Sequence, residues 1–269
     1  MAIIAMQSAA SGLRALDTRL DVIANNLANV NTEGFKSSRA NFEDLLYIER
    51  AQPGVENAIG DQRPTGLYVG LGVEVSGTQQ DFTQGTPIAS TSSTDMMIEG
   101  RGFFKVQVED SLGNGGEAFT RNGNFVRNSD GELVLANSDG RRLIPNISIP
   151  DDATAVAVDP SGRVLYRSPG STEPQEAGQL TISVFTNPTG LSSVGGNLWV
   201  ESAASGPPID GEPSTENFGK IRGNALEGSN VDPSRELIEL IRTQRAFEMN
   251  SQAIRAADET LQSVAQLRR

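Results

Sequence analysis

The stretch "LDVIANNLANVNTEGFK", residues 20–36, decides the fold. It opens with apolar residues at helical spacing, then crowds in Asn25, Asn26, Asn29 and Asn31 before a glycine. Asparagine is a poor interior helix residue because its amide competes for backbone hydrogen bonds. Working back from it, Met6, Ala9, Leu13, Leu16, Leu20, Ile23, Leu27 and Val30 alternate spacings of three and four. That is an uninterrupted heptad seam with Met6 at position a. Ala5, Gly12, Arg19 and Asn26 then fall at g, and Ala10, Asp17 and Ala24 at e. Small residues beside a seam admit a close neighbour. Asn25 at f, Asn29 at c and Asn26 at g lie off the seam, where the amides can meet a second or third neighbour. A helix over 5–30 is roughly 39 Å long. Gly34 is placed to end it in a left-handed conformation.

The other end of the chain repeats the pattern. In "NVDPSRELIELI", Asp232 suits an N-cap, Pro233 the first helical position and Glu236 the first turn. Leu240, Phe247, Ile254 and Leu261 recur every seven residues, with Leu237 on the complementary row and Ile241 and Val264 flanking. The rest of that row, Gln244, Ser251, Asp258 and Ala265, holds no large apolar residue. A helix over 233–267 is about 52 Å long, and Arg268 and Arg269 complement its C-terminal dipole.

Between these ends the period changes to two. "GFFKVQV" (102–108), "AVAV" (155–158), "RVLYR" (163–167) and "QLTISVF" (179–185) predict strands. Turn signals at Asn122-Gly123, Asp130-Gly131, Asp139-Gly140, 159–162 and 187–190 separate them. The expected fold class is α+β: long terminal helices of coiled-coil type packed together, a central all-β domain and extended connectors. The boundaries are an N-terminal helix over 1–36, an extended connector over 37–87, a β-rich domain over 88–200, a return linker over 201–230 and a C-terminal helix over 231–269.

Composition narrows the function. The chain has 269 residues, 28 glycines, 13 prolines, no cysteine and no histidine. Thiol chemistry, disulfides and thiolate metal sites are excluded, and the commonest general base is missing. No run approaches the ~20 apolar residues of a membrane span. The N-terminus has no basic residue before Arg14, and Gln7 and Ser8 break its apolar run, so a cleaved secretory signal is not expected. Net charge is -12. Arg14 and Arg19 balance Asp17 and Asp21, and the arginines and acids of 231–269 cancel, so the excess lies in 31–230. An acidic middle opposes nucleic acid and anionic lipid as partners.

Catalytic and ligand motifs dissolve on inspection. Glu43-Asp44 and Glu109-Asp110 are adjacent, and neighbours in a strand point to opposite faces. "NSDGELVLANSDG" lacks the sixth-position glycine and twelfth-position glutamate of an EF-hand, and hairpin turns account for it. "GRGFF" and "GNGG" lack the Lys-Ser/Thr and helix of a phosphate loop. Trp199 and Tyr166 suit a core or rim. No catalytic residue, cofactor, metal or small-molecule substrate is expected.

The helices raise the question of what covers them. Burying a Leu or Ile contributes about 1.5–3 kcal/mol, against roughly 1–2 kcal/mol of backbone entropy per ordered residue. Two helices alone make a thin core, so further copies are expected on the remaining faces. Two other classes stay open: a β-rich binding module oligomerised by a small coiled coil, which predicts a discrete oligomer, and a glycan-cleaving enzyme, which needs carboxylates about 5–10 Å apart in a cleft.

"ANNLANVNTEGFK" (24–36) and "GSNVDPSRELIELIRTQRAFEMNSQAIRAADETLQ" (228–262) resemble the paired N- and C-terminal signatures of the bacterial flagellar axial family of rod, hook and hook-associated proteins. Within the family, "FEDLLY" (42–47), "QPG" (52–54), "PTGLYVGLGV" (64–73), "IEGRGFFKV" (98–106) and "FTRNGNF" (119–125) are most similar to the distal rod branch, with a proximal rod protein of similar length as the rival. The resemblance implies a non-enzymatic subunit of a helical homopolymer. Its implied neighbours are proximal rod proteins and hook protein along the axis, with outer-membrane and peptidoglycan ring proteins around it. It also implies unfolded passage through the flagellar export apparatus to a rod crossing the periplasm, with the terminal helices lining a channel and the β-domain outside. The segment 47–73 resembles a rod-type insertion that bridges neighbouring strands of subunits. The expected assembly interface is Leu13, Leu16, Leu20, Ile23, Asn25, Asn26, Leu27, Asn29, Val30, Asn31, Gly34, Phe35, Leu237, Leu240, Ile241, Phe247, Ile254, Leu261 and Val264. On this basis Leu20→Asp or Ile254→Asp should block assembly while an isolated 88–200 domain stays folded.

Overall fold

The computed structural model describes residues 2–55, 64–170 and 173–267. The central part of the 47–73 segment, the side chain of Val264, and Arg268 and Arg269 therefore lie outside the described residues. The chain divides into two compact units. The first comprises residues up to 28, 38–79 and from 232 onward; the second comprises 29–37 and 80–231.

The first unit holds both long helices, α1 (Ala2–Ala28) and α2 (Pro233–Leu267). α1 stops at Ala28, two residues before the seam ends, and the chain turns through 29–34 with Gly34 at φ 68°. Asp232 caps α2: its Oδ1 accepts the N–H groups of Ser234 and Arg235 at 2.9 and 3.3 Å. The connector is built from paired strands. Ser38–Asp44 pairs with Val73–Gln80. Tyr47–Ala51 pairs antiparallel with Leu67–Gly70.

The second unit is β-structure with a dry core. Its largest sheet has seven strands. Phe103–Gln107 pairs with Glu117–Thr120 on one side; on the other it pairs with Ile182–Val184 and then with Leu143–Ile144. Period-two alternation is plain at Phe103 and Phe104, which point to opposite faces. Phe104 joins Met96, Ile98, Val106, Phe125 and Leu133 in the main core. Phe103 joins Phe119, Phe185, Leu191 and Trp199 in an aromatic cluster packed edge-to-face. A three-stranded sheet follows the order Ala155–Val158, Arg163–Arg167, Gln175–Gln179.

One sequence expectation needs correction here. Residues 201–230 are not a linker. They supply Ile209–Gly211 to the large sheet, Lys220–Gly223 to Met96–Glu99, and Ala225–Glu227 to Pro87–Ala89. Ile221 and Leu226 are buried, so a fragment of 88–200 would lose part of its own core. After the turn-rich residues that follow Arg167 the chain enters a strand at Gln175. At the Asn122-Gly123 turn signal, glycine is required because a Cβ would collide with the Met96 carbonyl oxygen.

Candidate assembly surface

α1 and α2 pack antiparallel in the first unit, and the contact does not run along the predicted seam. Gly12 lies under the side chain of Asn250, Arg19 pairs with Glu239 at 2.6 Å, and Asn26 donates to Glu236 at 3.3 Å. Gly12, Arg19 and Asn26 are all g positions. With Leu240 at d, α2 answers with g positions of its own: Glu236, buried Thr243, Asn250 and Ala257. Both helices therefore meet on a mixed face of small and polar residues.

This placement sorts the expected interface residues. Ala9, Ala15 and Ile23 are buried beside the g face. Ser11 accepts the Val73 N–H at 3.2 Å, so the f side of α1 carries the connector strand. Leu13, Leu16, Leu20, Leu27 and Val30 are half-buried, as are Leu240, Ile254 and Leu261 on α2. Asn25 and Asn31 are exposed, while Asn29 and Phe35 are half-buried.

Asn26 and Gly34 are engaged within the chain. Asn26 is buried: its amide donates to the Ser38 carbonyl at 2.8 Å and accepts the Ser38 N–H at 2.9 Å. That two-bond ring imitates a strand pairing and starts the strand after the turn. Gly34 is buried too, donating its N–H to the Glu227 carbonyl at 2.7 Å, and a Cβ would press on the Asn122 nitrogen. Sequence reasoning missed Asn230, which accepts the Ser37 N–H at 2.7 Å and donates to the Asp81 carbonyl at 2.8 Å. Its place in "GSNVDP" was the available signal.

What remains uncovered is apolar. Leu237 is 49% exposed, Ile238 51%, Ile241 43% and Met249 64%; Phe247 is also exposed. Leu237, Ile238 and Ile241 are the a, b and e positions, contiguous on the side away from α1. The connector hairpin exposes Leu46, Tyr47, Leu67 and Tyr68 as well. Contiguous exposed apolar surface on a folded unit marks an interaction site. Burial raises the Glu236 carboxyl above its ordinary value; the Asn26 hydrogen bond opposes this, Glu239 reinforces it, and Arg235 and Arg19 weaken it. Among the described residues no helix is long and apolar enough to cross a membrane.

Three family models match the chain in register with these elements. A flagella basal body rod protein model matches residues 6–36, a flagellar hook protein FlgE/F/G D1 domain model matches 97–166, and a flagellar basal body rod FlgEFG protein C-terminal model matches 222–267. The chain is 42% identical over 267 residues to the flagellar basal-body rod protein FlgG of Borreliella burgdorferi, covering 98% of each chain. It is 37% identical over 272 residues to FlgG of Bacillus subtilis, again covering 98% of each. Similarity to the flagellar hook protein FlgE of Salmonella typhimurium is lower, 25% over 422 aligned residues covering 97% of this chain and 99% of that one. With its helix-and-strand plan and these full-length relatives in hand, the chain belongs to the family of flagellar basal-body rod proteins FlgG, as a structural subunit and not an enzyme.

Proposed function

We propose that the subunit polymerises into the helical tube of the distal rod through the uncovered face of α2 and the apolar hairpin of the connector. The observation that carries this is the pairing of α1 and α2 through their g positions. It leaves Leu237, Ile238 and Ile241 facing outward. A helix packed on one face and bare and apolar on the other offers a surface that a second molecule can dry. In the tube, α1 and α2 of successive copies pack as a coiled-coil-type inner layer around the export channel. The acidic β unit faces outward, and the 47–73 segment contacts a neighbouring copy. Stiffness sufficient to pass torque from motor to hook follows from many such contacts in register. The chain reaches the periplasm unfolded through the export apparatus and meets proximal rod proteins, hook protein and the surrounding ring proteins there.

Electron microscopy of the concentrated protein tests this. Open-ended fibres are expected from the native chain and none from Ile241→Asp, whose side chain is exposed in the subunit and so spares its fold. This variant is cleaner than Leu20→Asp or Ile254→Asp, both half-buried within their own unit. A closed trimer or tetramer, or fibres from Ile241→Asp, would overturn the proposal.

A further inference from the structure

Within the second unit three charged side chains cluster together almost out of contact with solvent. Lys36, Arg121 and Glu227 are 1%, 4% and 1% exposed. Lys36 Nζ donates to Glu227 Oε1 at 2.6 Å and to the Thr83 carbonyl at 2.8 Å. Gly85 N–H donates to the same carboxylate oxygen at 2.9 Å. Arg121 Nη1 lies 3.3 Å from Glu227 Oε2, Nη2 donates to the Gly100 carbonyl at 2.8 Å, and the guanidinium stacks over Phe103. One carboxylate thus holds two cations and a backbone N–H. Around it the backbones touch: Gly34 lies against Arg121 and Asn122, and Gly85 against the Gly228 carbonyl, with no space for a Cβ.

Burying a charge triad is a poor route to stability. Apolar residues of similar volume are often neutral or better, whereas removing one partner is severe. Burial holds the Lys36 ammonium below its ordinary value, with Glu227 opposing and Arg121 adding to the effect. A triad gives direction instead, because only one pairing satisfies all three charges. Here that pairing joins segments 191 residues apart in sequence. Lys36 closes the segment following α1, and Glu227 lies just before α2. Two further bonds run between the same segments, Gly34 N–H to the Glu227 carbonyl at 2.7 Å and Ser37 N–H to Asn230 at 2.7 Å.

We propose that Lys36, Arg121 and Glu227 form a tie that fixes the segment entering the β unit to the segment leaving it, so that the unit's two chain connections act as one mechanical element. Load arriving through either connection is shared with the other inside the core before it reaches the sheet. A one-residue slip would offer Phe35 or Ser37 to the carboxylate, so the tie also sets register. The inference does not rest on the assembly reading, because it concerns a single subunit.

Hydrogen exchange on the dispersed full-length protein tests it. Glu227→Gln should speed amide exchange across 33–37 by about a hundredfold. The strands Arg163–Arg167 and Gln175–Gln179 should keep their native rates. If Glu227→Gln does not fold, Lys36→Met leaves Arg121 on Glu227 and should show the same pattern at about tenfold. A triple variant, Lys36→Met, Arg121→Met and Glu227→Leu, should retain the native melting temperature within a few degrees yet still exchange fast at 33–37. Native protection of 33–37 in the triple variant would overturn the proposal. So would acceleration of equal size throughout the β unit, or failure of all three variants to fold, since either assigns the triad to general core stability.

Discussion

The β unit and the helical unit solve burial in opposite ways. The β unit seals its core within one chain: Phe104, Phe125, Met96 and Leu133 are all essentially inaccessible, although Ile88, Val126 and Ile209 at its surface are exposed. It even encloses charge, provided each charge is paired. The helical unit spends its closest contacts on small and polar residues, Gly12 on Asn250 and Asn26 on Glu236, and leaves Leu237, Ile238 and Ile241 in solvent. A unit built to stand alone hides its oil; a unit built to be completed by others exposes it. Polarity at the intramolecular helix contact is therefore informative, because it reserves the apolar stripe for intermolecular use.

Substitutions can break or sharpen this contrast. The largest effect is expected at Gly123→Ala, whose methyl would collide with the Met96 carbonyl. Cooperative melting of the β unit should be lost while helical circular dichroism from α1 and α2 persists. Phe104→Ala should cost about 3–5 kcal/mol in the same transition, measured by denaturant titration. Asn26→Ala leaves the Ser38 N–H and carbonyl without their side-chain partner. It should destabilise the helical unit by about 1–3 kcal/mol, visible as faster exchange at Ser38, with the β transition unmoved. Ile241→Asp should change subunit stability by no more than about 0.5 kcal/mol while abolishing fibres.

The smallest effect concerns pH. Glu236 has a raised carboxyl pKa, so between its ordinary value of 4.5 and that raised value the native state holds more proton than the unfolded one. Helical-unit stability should therefore fall as pH rises through that window. Glu236→Gln should flatten the dependence and raise stability at neutral pH. A steeper profile in the variant would show that Glu236 stabilises the contact as an anion.

Much of this was legible in the sequence for physical reasons. "AVAV" and "RVLYR" alternate cleanly and form strands at the expected residues. Asp232 and Pro233 announce the start of α2, and the seven-residue spacing announces both helices. The side on which those helices meet was hidden. Periodicity locates the greasy stripe, and the g positions bury through fit and hydrogen bonding, which leave no hydropathy signal. Lys220–Glu227 reads as polar linker because its strands are three or four residues long and alternate with charge. A glutamate at 227 looks solvated until a lysine from position 36 is brought to it, and no local pattern reports a partner that distant. The asparagines drew notice as outward-facing amides. Asn26 proved to serve its own chain, because an amide can offer donor and acceptor together to one backbone residue.

The Lys36–Glu227 contact bears on how the molecule can be dissected. A fragment begun at residue 80 to free the sheet from the leading helix would enclose a carboxylate stripped of its ammonium. Its collapse would be mistaken for a need for α1. Excision that starts at residue 29 keeps the ammonium in place and asks the intended question.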